Sequence, residues 1–449
     1  LIIKIRMKKI LVLGSGRSAT TLIDYLITNS EENNWFVTVG DFSVELAEES
    51  VGNSEKAKAI FFNVTDDNQR REEIRNSDIV VSMLPARMHF LVAEDCVNLK
   101  KNLVTASYVS DELRQLNEKA KQSGVLLLNE IGLDPGIDHM SAMKLIDKIK
   151  EKGGELTSFK SFCGGLVHPD YDNNPWNYKF TWNPRNVVLA GQGTAQYIKK
   201  GKYKYIPYTK LFERTECMNI LDVGEFEGYA NRDSLSYRDS YGLENIPTIF
   251  RGTLRKKGFC KSWNMFVQVG MTDDTYSVEN SENLTYREFT NLFFPYNNKL
   301  TVEQKFCNYL NVSNNSDEFK KAEWMGIFSK NIIGIKKATP AKILQKITEE
   351  KWTLSKEDKD MVVMQHQFEC LLDGETKKIN SSLVVFGDNQ RDTAMAKTVG
   401  LPVAIATKLI LNGEIKSIGV QIPTTKDIYN PVLKELSGNG INFIEEEIS

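Results

Sequence analysis

The residue types best suited to chemistry crowd into one short stretch, Asn129–Met140, NEIGLDPGIDHM. Glu130, Asp134, Asp138 and His139 share a bend that Gly132, Pro135 and Gly136 turn. His139 either orients a carboxylate such as Asp134 or caps a helix starting near Ser141. A second constellation is GSGRSA, in which Gly14, Gly16 and Ala19 form a G-x-G-x-x-A pattern. The first glycine permits a tight turn, the second lets backbone approach a pyrophosphate, and the alanine allows close helix packing. Asp41 ends the next apolar run, where a carboxylate can accept from both ribose hydroxyls, and no Lys or Arg follows it in DFSVELAEE. That pattern favours NAD over NADP, and Ser43 is free to cap the following helix. Arg232, Arg251 and Arg255 later in the chain offer planar forks for carboxylates. His89, His168 and His366 stand apart from acidic clusters and read as structural.

These residues need a scaffold that brings strand ends together. KKILVL, WFVTVGD, AIFFNV, DIVVSMLP, NLVTASY and GVLLLNE are short apolar runs alternating with helical stretches, the signature of an α/β fold with a parallel sheet. Asn63, Pro85, Ser107 and Tyr108 then line the same carboxyl edge as Gly14 and Asp134, where α/β sheets bind ligands. After about Gly154 the chain turns β-rich and aromatic, as in LTSFKSFCGGLVHPD, YKFTWNP and VVLAGQGTAQYIKKGK, implying a second α/β domain. Residues 272–358 are polar and helical, MVVMQHQFECLLDG returns to strand, and the last segment is expected to pack back on the first domain.

Composition bounds the partners. The 449 residues, 41% hydrophobic with a net charge of −2, suit a multidomain globular protein with a small-molecule ligand and no nucleic acid or membrane surface. Six scattered cysteines without a C-x-x-C pair argue against disulfides and a metal site, and for a reducing, cytoplasmic compartment. No apolar run is expected to approach the roughly 20 residues of a membrane span. LIIKIR before Met7 is too short for a signal peptide and reads as an upstream extension.

VLGSGRSA, VTASYVSDEL, NEIGLDPGIDHM, CGGLV with NNPWNYKFTWNPRNV, NRDSLSY, FRGTLRKKGF, AEWMGIF and AMAKTVGLPVA occur in this order, and together they resemble the glutamate-forming saccharopine dehydrogenases, or saccharopine reductases. The resemblance implies a Rossmann domain of residues 1–132 plus about 390–449. It adds a central α/β substrate and dimerisation domain of 133–271 plus about 359–389, and a helical domain of 272–358. It implies oxidation of saccharopine with NAD, or NADP as the alternative, to glutamate and 2-aminoadipate 6-semialdehyde, or the reverse, in a homodimer.

Cofactor contacts are then expected at Gly14, Ser15, Gly16, Arg17, Asp41, Asn63, Leu84, Ala106, Ser107, Leu133 and Asp134. Substrate contacts fall on Ser107, Tyr108, Leu133, Asp134, Arg232, Thr253, Leu254 and Arg255, with Asp134 and Tyr108 at the reacting centre. Asp134 would lie against a substrate nitrogen, as a base or only as an electrostatic anchor. Val167 and His168 depart from the family's proline and small residue after CGGL. Bifunctional animal members carry a second enzyme region upstream, which this chain is expected to lack. Carboxynorspermidine dehydrogenases and lysine 6-dehydrogenases are the rival enzymes, needing fewer carboxylate clamps, and a catalytically silent NAD-binding regulator is the rival outside enzymology.

Overall fold

The computed structural model describes residues 6–448, so all but Arg6 of the expected upstream extension lies outside the described residues. They divide into two compact units. The first holds the chain through Glu155 together with Leu372–Glu375 and Leu383–Ile444; the second holds Leu156–Leu371, Thr376–Ser382 and the chain from Glu445.

In the first unit, β1 (Lys8–Leu13), β2 (Trp35–Asp41), β3 (Ala57–Phe61), β4 (Ile79–Ser82), β5 (Asn102–Val104) and β6 (Leu126–Leu128) are joined through helices. They pair in parallel in the order β3-β2-β1-β4-β5-β6, and Gly419–Gln421 adds a seventh parallel strand beside β6. Val80, Val81, Leu103 and Leu127 are fully buried because helices cover both faces of such a sheet. The strand order reverses between β1 and β4, which opens a crevice at their carboxyl ends.

Leu383–Ile444 returns to this unit, whereas the strand Ile444–Ile448, expected with it, joins the second sheet. The helix Ala394–Leu411 packs on Thr20–Thr28 at Gly400, where a Cβ would stand 2.9 Å from the Leu22 nitrogen. At 18 residues this helix is long and apolar enough to cross a membrane by length and composition, which corrects the expectation that no run approaches that length. Its burial, 78% within the molecule, marks a core helix.

The second unit is built on β7 (Glu155–Val167), β8 (Ala195–Lys199), β9 (Lys202–Ile206), β10 (Thr215–Asn219), β11 (Glu225–Ala230), β12 (Thr248–Lys256), β13 (Asp360–Leu372) and β14 (Glu375–Phe386). The sheet runs β10-β11-β12-β7-β13-β14 and ends on Ile444–Ile448, with the β8–β9 hairpin attached through β12. β12 is antiparallel to β11 and parallel to β7.

Two boundaries and one strand differ from the sequence reading. The helix Ile137–Glu151 belongs to the first unit, where Asp147 accepts from the Tyr429 hydroxyl at 2.7 Å, so the division falls at Glu155 rather than 132. The helical residues 272–358 share a unit with the central sheet, because Trp352 packs edge-on to Trp176 at 5.3 Å and to Tyr178 at 5.1 Å. YKFTWNP is irregular apart from a bridge at Phe180, since Asn177 takes a left-handed φ of 51° and Asn183 caps the short helix Pro184–Val188.

Candidate functional site

The glycine turn after β1 separates two roles. Gly14 has φ +98°, and a Cβ there would lie 2.9 Å from the Met83 carbonyl oxygen, so the fold itself demands glycine. Gly16 has φ −65°, and no atom lies within 4 Å of where its Cβ would be. The packing of the chain does not itself require that residue to be small, and open space lies beside the backbone there. No side chain caps the helical turn that Gly16 begins, Arg17 beside it is exposed, and Ala19 is buried under the helix.

Asp41 closes this turn from β2. Its Oδ2 accepts from the Ser15 backbone N–H at 2.7 Å and hydroxyl at 3.0 Å, and its Oδ1 from the Ser43 N–H at 3.0 Å. A carboxylate has about four acceptor positions, so Asp41 keeps capacity for a further donor. Ser43 caps the next helix by accepting from Leu46, so Asp41 is not that helix's cap. Phe42 is 72% exposed and lies against Phe61 at the ends of β2 and β3, rings 5.5 Å apart. Sequence reading passed over this aromatic pair, whose one signal was its place directly after Asp41.

Not every expected cofactor contact presents a side chain. The Asn63 side-chain Oδ1 accepts from the Thr65 N–H and hydroxyl, at 3.1 and 2.8 Å, and Leu84 packs partly on the core. Leu133 is buried. Ala106 crowds Gly132, where a Cβ would stand 2.9 Å from its own.

Below the end of β4, Ser82 Oγ and buried His89 Nδ1 are 2.9 Å apart, and burial lowers the imidazole pKa from 6.5 to about 4. The unfolded chain therefore takes up a proton that the fold refuses: stability is full above the unfolded value and falls as pH drops toward the folded one. Between about pH 7.5 and about pH 5 the expected loss is about 2 kcal/mol. Urea midpoints of parent and His89→Gln at both pH values check this, and an equal drop in both proteins would refute it.

The turn NEIGLDPGIDHM sorts its titratable groups by burial. His139, fully buried, shares a 2.9 Å hydrogen bond between its Nε2 and Glu130 Oε2. Asp138 Oδ1 accepts from the Gly136 N–H at 2.6 Å. Of the three carboxylates Asp134 alone is not buried. The helix begins at Ile137, so His139 does not cap one at Ser141, and a carboxylate it bonds is that of Glu130. Ser107 and Tyr108 occupy the neighbouring loop, with Tyr108 50% exposed.

In the second unit, strand alternation puts Arg251, Thr253 and Arg255 on one face of β12 and Leu254 on the other. Leu254 is fully buried, and its carbonyl accepts from Arg255. Thr253 donates to Asn231 Oδ1 at 2.6 Å, one residue before Arg232, whose side chain is exposed. The Arg251 guanidinium lies 3.9 Å from the Tyr237 ring centre. Arg255, 3% exposed, sits over the rings of Tyr178 at 5.0 Å and Phe259 at 5.4 Å. One of its nitrogens donates to the Leu254 carbonyl at 2.8 Å, and its Nε has no partner. Among the described residues no carboxylate pairs with it. The aromatic cradle was only partly local: Phe259 follows Arg255 within FRGTLRKKGF, whereas Tyr178 reaches it from a distant segment.

A parallel sheet with this strand order, a glycine turn that leaves room at Gly16 and an acid at the end of β2 define a Rossmann dinucleotide-binding unit. The comparisons give the family. Residues 10–128 match the model described as the saccharopine dehydrogenase NADP binding domain, and residues 132–441 the saccharopine dehydrogenase C-terminal domain. The chain belongs to the saccharopine dehydrogenase family.

It is 34% identical over 448 residues to saccharopine dehydrogenase [NADP(+), L-glutamate-forming] of Saccharomyces cerevisiae, covering 98% of this chain and 99% of that one. A solved structure of the apo histidine-tagged yeast enzyme superposes with a TM-score of 0.90 at 34% identity, covering 98% of this chain and 100% of that one. The mitochondrial alpha-aminoadipic semialdehyde synthase of Rattus norvegicus is 34% identical over 97% of this chain. The chain spans about half the length of the mammalian relatives it matches.

Proposed function

We propose that the chain oxidises L-saccharopine, with an oxidised nicotinamide dinucleotide and water, to L-glutamate and L-2-aminoadipate 6-semialdehyde, or runs the reverse, in lysine metabolism. The observation that carries this reading is that a chain of this family combines the nucleotide turn at Gly14–Gly16 with a buried, carboxylate-free guanidinium at Arg255. Saccharopine brings three carboxylates and a secondary amine. A bound nicotinamide supplies the hydride acceptor. Hydride leaves carbon only when the nitrogen lone pair is free, and such an ammonium has a pKa of about 10, so the site must favour its neutral form. Asp134, the carboxylate of its turn that is not buried, sits against that nitrogen as base or anchor; Ser107 and Tyr108 orient the substrate, and Arg232 and Arg255 hold carboxylates. Water adds to the resulting imine, which collapses to amine and aldehyde.

The direct test is the absorbance of reduced nicotinamide on adding saccharopine to the purified protein with either dinucleotide. No increase with both would refute the reading.

We infer a preference for NAD, although the matching model and the yeast relative carry NADP in their names. Asp41 at the end of β2 would repel a 2′-phosphate, and Phe42 rather than a cation follows it. Asp41→Ala is expected to lower the ratio of kcat/KM for NAD over NADP by about tenfold or more, the worth of a hydrogen bond to a charged group. An unchanged ratio would remove Asp41 from the ribose. A homodimer, testable by light scattering, and a reducing compartment such as the cytoplasm complete the reading; none of the six cysteines is in a disulfide.

A further inference from the structure

We propose that Glu130, anchored by His139, is a positioning residue that holds the Ser107–Tyr108 loop for substrate. This rests on the reading above, in which that loop touches saccharopine. Glu130 takes φ +55°, a left-handed value uncommon for a side chain of its size, and is 5% exposed. That conformation lets it grip the loop twice: its N–H donates to the Ser107 carbonyl at 3.0 Å, and its Oε1 accepts from the Val109 N–H at 3.0 Å. Tyr108 lies between the two bonds. The other carboxylate oxygen accepts from fully buried His139 Nε2 at 2.9 Å. His139 is in the first turn of the helix Ile137–Glu151, which the Asp134–Gly136 bend feeds, so one side chain ties the loop carrying Tyr108 to the helix behind Asp134.

A carboxylate buried only for stability would need no left-handed backbone. Here backbone and side chain both serve the loop, and the two bonds flank a residue that is itself 50% exposed. Ser107 is further fixed by its N–H on Thr105 Oγ1 at 3.2 Å. The nucleotide cradle at Gly14–Arg17 and Asp41 lies outside this network.

Glu130→Gly tests the idea with little backbone penalty, since glycine takes a positive φ freely. The expected result is a folded protein with a lowered urea midpoint, since buried His139 and the Val109 N–H lose this partner, a saccharopine KM raised about tenfold, and a dinucleotide Kd changed less than about threefold. Glu130→Gln keeps an acceptor for Val109 and is expected to restore KM to within about threefold of the parent. If the glycine variant does not fold, Glu130→Asn carries the test: it tolerates the left-handed region and is too short to reach Val109. A folded glycine or asparagine variant with the parent's KM and kcat overturns the proposal, as does a glutamine variant no better than glycine. Tyr108→Phe and Ser107→Ala separate the two levels. If neither alters saccharopine kinetics, the loop is not a substrate contact; if they do and Glu130→Gly does not, only the positioning role fails.

Discussion

Arg255→Lys is expected to lower kcat/KM for saccharopine about a hundredfold while leaving the dinucleotide Kd within about twofold. The guanidinium is 3% exposed between the rings of Tyr178 and Phe259, it spends one nitrogen on the Leu254 carbonyl, and its Nε is unpaired. Burying a cation without a carboxylate costs several kcal/mol, about what a stabilising mutation would recover. Lysine keeps the charge but loses both the planar fork and the stacking on the rings. Arg255→Met supplies the decisive contrast. By removing an uncompensated buried charge it should leave the urea midpoint unchanged or raised, while saccharopine turnover collapses. Equal losses of substrate and dinucleotide binding, or a destabilised Met variant, would make Arg255 a folding residue.

The second large effect separates two glycines. Gly136→Ala is expected to cost about 3–4 kcal/mol or to prevent folding, because φ is +145° and a Cβ would stand 2.1 Å from the Gly132 oxygen and 2.2 Å from its nitrogen. Those atoms cannot yield, since the Gly132 N–H donates to the Pro135 carbonyl at 2.9 Å and the Gly132 carbonyl accepts from Ile137 at 2.8 Å. Gly16→Ala, where no atom crowds the added methyl, should keep its stability within about 0.5 kcal/mol and weaken dinucleotide binding about tenfold or more. Urea denaturation and dinucleotide titration of both variants read the two effects. A stable Gly136→Ala protein, or a Gly16→Ala protein with the parent's affinity, would contradict the division of roles.

Local pattern reached the nucleotide fold. Strand and helix periods, the G-x-G-x-x-A turn and the acid ending β2 are short-range features, and the structure places each where its spacing implied. Leu133 and Leu254 were expected as ligand contacts from the resemblance alone, and both residues are buried.

The domain count was also set by long-range packing. The helical residues 272–358 read as separate from their polarity, but Trp352 joins an aromatic cluster with Trp176, Phe259 and Trp263 in the central unit.

By itself the sequence determined the strand order's raw material, the glycine turn and the crowding of titratable groups at Asn129–Met140, because turns and strand ends follow from residue types a few positions apart. Only the tertiary structure decided which of those groups faces outward, that His139 serves Glu130 and that Arg255 lies among rings rather than acids. Burial and pairing are set by segments distant in the chain, and a carboxylate or guanidinium carries no local sign of which neighbour will desolvate it.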